Sequence, residues 1–98
     1  MVVLPQYKSG DVGVTNDIMK NFKYPKKLII REEYITGYVL VGFVVEKDGS
    51  VSNVKFVKGL QKDLDKEAIR VVKLLNNWNP GYNRGVPIRA RFVQPIRF

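Results

Sequence analysis

The sequence predicts an α+β fold: a three-stranded antiparallel sheet, ordered second strand, first strand, third strand, packed on one face by helices. Three observations predict it. Residues 38–58 alternate at strand period on both sides of Asp48-Gly49, the mark of a β-hairpin. Residues 62–75 then change to helical period. The closing stretch WNPGYNRGVPIRARFVQPIRF returns to alternation, but it carries Pro87 and Pro95, which suit only the edge of a sheet.

Residues 1–15 hold Pro5, Gly10 and Gly13 without a sustained period and read as an irregular arm, ahead of a domain over residues 16–98. Thr15 or Asn16 is placed to cap a short helix over Asp17 to Phe22, where Ile18, Met19 and Phe22 fall near helical spacing. Tyr24-Pro25 interrupts it, because the residue before proline avoids the α region. From Pro25, KKLIIREEY reads as a second short helix that ends before Thr36-Gly37.

In the hairpin, Val39, Val41, Phe43 and Val45 share one face. With Asp48 and Gly49 as the two central turn residues, Phe43 falls opposite Val54 and Val41 opposite Phe56, so Phe43 and Phe56 join the core, as does Phe92 later in the chain. The other face, Tyr38, Leu40, Gly42 and Val44, is more apolar than water requires and is expected to be partly covered by the arm or a second copy. Leu64, Ala68, Val71, Val72 and Leu75 form an apolar helical stripe that begins near Asp63 and stops at Asn76-Asn77 and Pro80-Gly81. Trp78 is then a core plug where helix gives way to strand. A helix running back over the sheet makes the last strand parallel to the second and antiparallel to the first, which places it on an edge.

Composition narrows the function. Ninety-eight residues without a single Cys or His remove thiolate chemistry, disulfides and the commonest general base and metal ligand. Asp63, Asp65 and Glu67 are accounted for by the positive end of a helix dipole, so neither catalysis nor a cofactor is expected. The net charge is +8, and no acid follows Glu67, whereas Arg70, Lys73, Arg84, Arg89, Arg91 and Arg97 do. The partner of the last third should be anionic. Its edge strand is either blunted by charge and proline against aggregation or open as a docking edge for an extended peptide. Nucleic acid is a poorer fit, because the sheet's aromatics fall mainly on the core face and leave Tyr38 for base stacking.

The order Tyr24-Pro25, Gly37-x-Val39-x-Val41-x-Phe43-x-Val45, Asp48-Gly49-x-Val51, Leu64-Asp65-x-Glu67-Ala68, Trp78-x-Pro80-Gly81 and Pro95-Ile96-x-Phe98 resembles the TonB C-terminal domain family, from about residue 21 to the end. The segment before Tyr24 is similar to Bacteroidetes-type forms with an extra N-terminal helix. Lys27-Leu28 departs from the alanine often found after Tyr-Pro, a change that touches helix packing more than function.

The resemblance implies the periplasmic domain of an inner-membrane-anchored energy transducer in a Gram-negative bacterium. Such a domain grips outer-membrane receptors by adding their TonB box as a strand to its last strand. It relays force generated by inner-membrane ExbB/ExbD-type motor proteins from the proton-motive force. Carried onto this chain, the partner-binding positions are Val86, Ile88, Arg89, Ala90, Arg91, Phe92 and Val93, with Asn21, Phe22, Lys23 and Tyr24 as neighbours. Arg89, Arg91 and Arg97 would favour acidic boxes. A homodimer through the apolar outer face is a further expectation. The alternative is the same fold serving as a periplasmic interaction or cell-wall-associated module of a sensor or protease.

Overall fold

The computed structural model describes residues 1–98. In chain order the elements are β1 (Val2–Val3), β2 (Gln6–Tyr7), α1 (Gly10–Asn21), α2 (Lys26–Ile30), β3 (Tyr38–Val45) and β4 (Val51–Lys58). There follow α3 (Lys62–Leu74), β5 (Trp78–Asn79), β6 (Gly81–Asn83), β7 (Val86–Ile88) and β8 (Ala90–Arg97). The main sheet has the order β4-β3-β8 with both pairings antiparallel, as the connection rules require.

Helix α3 forms where the stripe predicts it. The Gln61 side chain accepts from the N–H groups of Asp63 and Leu64, satisfying two donors that the first turn leaves free, so the helix opens one residue before Asp63. Leu64, Ala68, Val71, Val72 and Leu75 are all buried, and α3 packs them on β3 and β4. Beneath it lie Val39, Val41, Phe43, Val45 and Ile96, each at most 1 % exposed. Fully burying an aliphatic side chain of this size contributes about 1.5–3 kcal/mol, so this layer is the main source of stability.

The β3–β4 hairpin corrects the expected turn. Gly49 N–H donates to the Glu46 carbonyl and Glu46 N–H to the Ser50 carbonyl, which leaves three loop residues, Lys47, Asp48 and Gly49, rather than two. Gly49 takes φ +86, and a Cβ there would come within 2.5 Å of the Trp78 carbonyl, so glycine is required twice over. The longer loop shifts the pairing by one residue: Val45 faces Val51 and Val44 faces Ser52. An irregularity between Gly42 and Val44, with Asn53 at φ +51, shifts it back. Val41 therefore meets Phe56 as predicted, but the expected Phe43–Val54 pair falls inside the irregularity. Phe56, on the outermost strand, is 51 % exposed and does not join the core as expected.

Three further expectations change. The stretch 1–15 is not irregular: β1 pairs with β6, β2 pairs with β5, and α1 starts at Gly10 rather than Asp17. These pairings hold the arm against residues 78–83. On the outer face of the main sheet Gly42 and Val44 are nonetheless buried, with the Val57 and Arg91 side chains lying over Gly42, while Tyr38 stays exposed. Helix α2 stops at Ile30, and Glu32 turns to φ +56 well before Thr36. The closing strand is two strands: β7 folds onto β6 around Arg84-Gly85, and only β8 joins the main sheet.

The candidate docking edge and its groove

Strand β8 pairs with β3 over eight consecutive residues, Ala90 to Arg97, without one shift of register. On the inner face Phe92 lies opposite Phe43 and Ile96 opposite Val39; on the outer face Arg91, Val93, Pro95 and Arg97 lie opposite Val44, Gly42, Leu40 and Tyr38. Trp78, 3 % exposed, locks the inner face from below, with ring centroids 5.3 Å from both Phe43 and Phe92 and 5.0 Å from Tyr7. Trp78 is thus the core plug that the sequence indicates, and Phe92 packs against that core while remaining partly accessible.

The backbone of β8 has a definite polarity. Phe98 N–H donates to the Gly37 carbonyl at 2.8 Å, and Gly37 N–H to the Phe98 carbonyl at 3.1 Å, so Phe98 turns its backbone groups toward β3. Orientation alternates along an antiparallel ladder, which makes Ala90, Phe92, Gln94 and Ile96 face β3 too. Arg91, Val93, Pro95 and Arg97 therefore direct their backbone groups away from it, at an edge where the sheet has no further strand. Pro95 has no N–H to offer, and on this side its absence costs the native sheet no hydrogen bond.

Helix α1 forms the opposite wall of a groove along that edge. It runs twelve residues despite Gly10 and Gly13, and is tied down where Val14 enters the core and where the Tyr7 hydroxyl donates to the Asp17 carboxylate at 2.5 Å. Burial, together with that hydrogen bond, pushes the Tyr7 hydroxyl well above its ordinary pKa, so it stays a proton donor at any physiological pH. Two cavities occupy the groove. One, of about 460 Å³, lies among Leu4, Tyr7, Asp11, Val14, Trp78, Phe92 and Gln94. The other, of about 620 Å³, lies among Thr15, Ile18, Met19, Tyr38, Pro95, Arg97 and Phe98, with Gln94 bordering both.

The residues that the family resemblance singles out fall in three places. Ala90, Arg91, Phe92 and Val93 lie on β8, with Arg91 and Val93 at its open edge. Val86 and Ile88 lie in β7, paired with Asn83 and Gly81. Asn21, Phe22, Lys23 and Tyr24 reach β8 only at its far end, where the Phe22 ring lies 5.1 Å from that of Phe98. That segment is already engaged. The Asn21 carbonyl accepts from Arg70 at 2.6 Å and Lys23 N–H donates to Glu67 at 2.6 Å. Burial opposes the charge on Glu67, but the hydrogen bonds from Arg70 and Lys23 outweigh it and hold the carboxyl below its ordinary range. The Tyr24 hydroxyl accepts from Ile35 N–H at 2.8 Å and donates to the Ile35 carbonyl at 3.1 Å, fixing the turn after α2.

Arg89 is also committed, making two hydrogen bonds to Glu46 at 2.9 and 3.1 Å. Arg91 and Arg97 make no ion pair. The α1 wall, with Gln94, Pro95, Arg97 and Phe98, was missed by sequence reasoning as a set; the signal present was Asp11, Thr15 and Met19 at four-residue spacing.

The family model for the C-terminal part of Gram-negative bacterial TonB proteins matches residues 20–98. Two solution structures of Helicobacter pylori TonB-CTD are similar in fold. The longer piece is 28 % identical with a TM-score of 0.65, covering 87 % of this chain and 75 % of that one. The shorter is 27 % identical with a TM-score of 0.66, covering 89 % of each. A search of curated proteins finds no match.

Proposed function

Because the chain belongs to the TonB C-terminal family, we propose that it is the periplasmic domain of a TonB-type energy transducer, gripping the TonB box of outer-membrane receptors by strand addition to β8. The observation that carries this reading is the open edge of β8, regular over its whole length and presenting the unpaired backbone groups of Arg91, Val93 and Arg97. Backbone pairing supplies affinity with little demand on sequence, so one domain serves several receptors. Ala90 to Val93 form the centre of the contact. Val86, Ile88 and Arg89 extend it at one end, and Asn21 to Tyr24 flank it at the other.

In this reading, force from the proton-motive force reaches the domain through ExbB/ExbD-type motor proteins and passes to the receptor along the added strand. A strand pulled lengthwise loads its hydrogen bonds together, so a short ladder resists a load that would peel it open from one end. Equal rupture forces in the two pulling geometries would rule that out. The grip itself is tested by titrating the isotopically labelled chain with an acidic TonB-box peptide at low and moderate salt. Amide shifts at Arg91 and Val93, with binding weakened by salt, are expected. No shift in β8 at millimolar peptide would overturn the reading.

A further inference from the structure

The groove has two chemically different ends. Cavity walls at the Phe92 end include the Asp11 carboxylate, whereas those at the Phe98 end carry Arg97 and no acid. Arg97 stands on the outer face of β8 without an ion pair, and Met19, 71 % exposed, overhangs the same cavity from α1. Almost all of α1 lies before residue 20, outside the part of the chain that the family model matches.

A strand added to β8 alternates its side chains between the two faces of the sheet. Those level with Arg91, Val93, Pro95 and Arg97 point outward, and their neighbours point inward, into the groove below α1. Opposite charges directly across a strand pair attract, so a carboxylate is favoured opposite Arg97. The residue next to it then enters the cavity of about 620 Å³ between Met19 and Phe98. Arg91 is a weaker candidate, because its guanidinium leans over Gly42, toward β3 and away from the open edge. Arg89 is held by Glu46.

From this we infer that the groove selects an extended peptide in which an acidic residue paired with Arg97 is followed or preceded by an apolar residue seated between α1 and Phe98. The inference rests on the strand-addition reading and adds to it a side-chain rule and a second wall. Its acidic end lies over Arg97, and an uncharged or basic residue lies over Asp11.

The test uses the labelled chain and three peptides of seven residues. One alternates Glu with Val, one has the same composition with the Glu residues grouped, and one replaces Glu by Lys. The expected result is that the alternating acidic peptide moves amides in α1 as well as β8 and binds about tenfold more tightly than the grouped one. Arg97→Glu should abolish that preference and restore binding of the Lys peptide. Met19→Asn, a change at an exposed position that leaves the fold intact, should weaken the acidic peptide about fivefold. If β8 amides shift while α1 amides and both variants are indifferent, strand addition stands and this inference falls. If Arg91 and Val93 amides do not move with any peptide, both fall together.

Discussion

The main sheet has two edges, and they are built differently. Strand β4 meets β3 with two irregularities of register, a left-handed Asn53 and lysines at 55 and 58, all of which obstruct a further strand. Strand β8 meets β3 over eight residues with none. Both edges belong to one small sheet and face the same hazard of pairing with stray strands. The protection is concentrated on β4 and reduced on β8 to one proline and a few arginines, as a fold would be arranged if β8 were the edge meant to be used.

The contrast can be sharpened first through stability. Phe43→Ala, in the core between the two edges, should cost about 3–5 kcal/mol in urea unfolding, whereas Phe56→Ala on the β4 edge should cost about 1 kcal/mol or less. A large loss at Phe56 would mean that the β4 edge is covered. Next in size is Val93→Pro, which removes one N–H from the open side only. It should leave the fold intact and weaken box-peptide binding by about 1–3 kcal/mol, read by calorimetry. Phe92→Pro removes a hydrogen bond that β8 makes to β3 and should destabilise the fold, so the pair checks the alternation directly.

Smaller effects separate the edges further. Asn53→Val forces a β-branched residue into the left-handed region and should cost about 1–2 kcal/mol of stability with no change in peptide affinity. The smallest concerns the Glu46–Arg89 pair that bridges the base of β3 to the start of β8. Hydrogen bonds from Arg89 first and Ser52 second hold the Glu46 carboxyl below its ordinary 4.5. A lowered carboxylate pKa contributes stability that is present above 4.5 and is lost as the pH falls through the lowered value. Arg89→Gln should therefore flatten the stability profile in that acid window. It should also change affinity for acidic peptides less than Arg97→Glu does.

Much of the sheet was legible because strand period and connection rules act locally. The stripe from Leu64 to Leu75 follows from spacing, the plug at Trp78 from the size of its ring, and the edge position of β8 from the connection rules together with its prolines. The hairpin shows why register is harder. A three-residue loop and the irregularity at Asn53 each displace the pairing by one, and they cancel, so Val41 meets Phe56 for reasons that the simple two-residue turn does not contain. Helix α1 was obscured by Gly10 and Gly13, which lower local propensity, while what secures it is tertiary: Val14 in the core, the Tyr7 hydroxyl on Asp17 and packing against α3, none of which periodicity reports. The groove was hidden with it, since one of its walls is that helix.

Pro95 has a meaning for motion along the edge. A strand lying on β8 keeps its faces only when it slides in steps of two residues, about 7 Å. Each such step brings a different carbonyl of the sliding strand to the place where Pro95 lacks a donor. In the strand-addition reading the edge therefore offers one donor fewer at every register, and the two-residue spacing of the remaining donors sets the steps in which a strand under tension would slip.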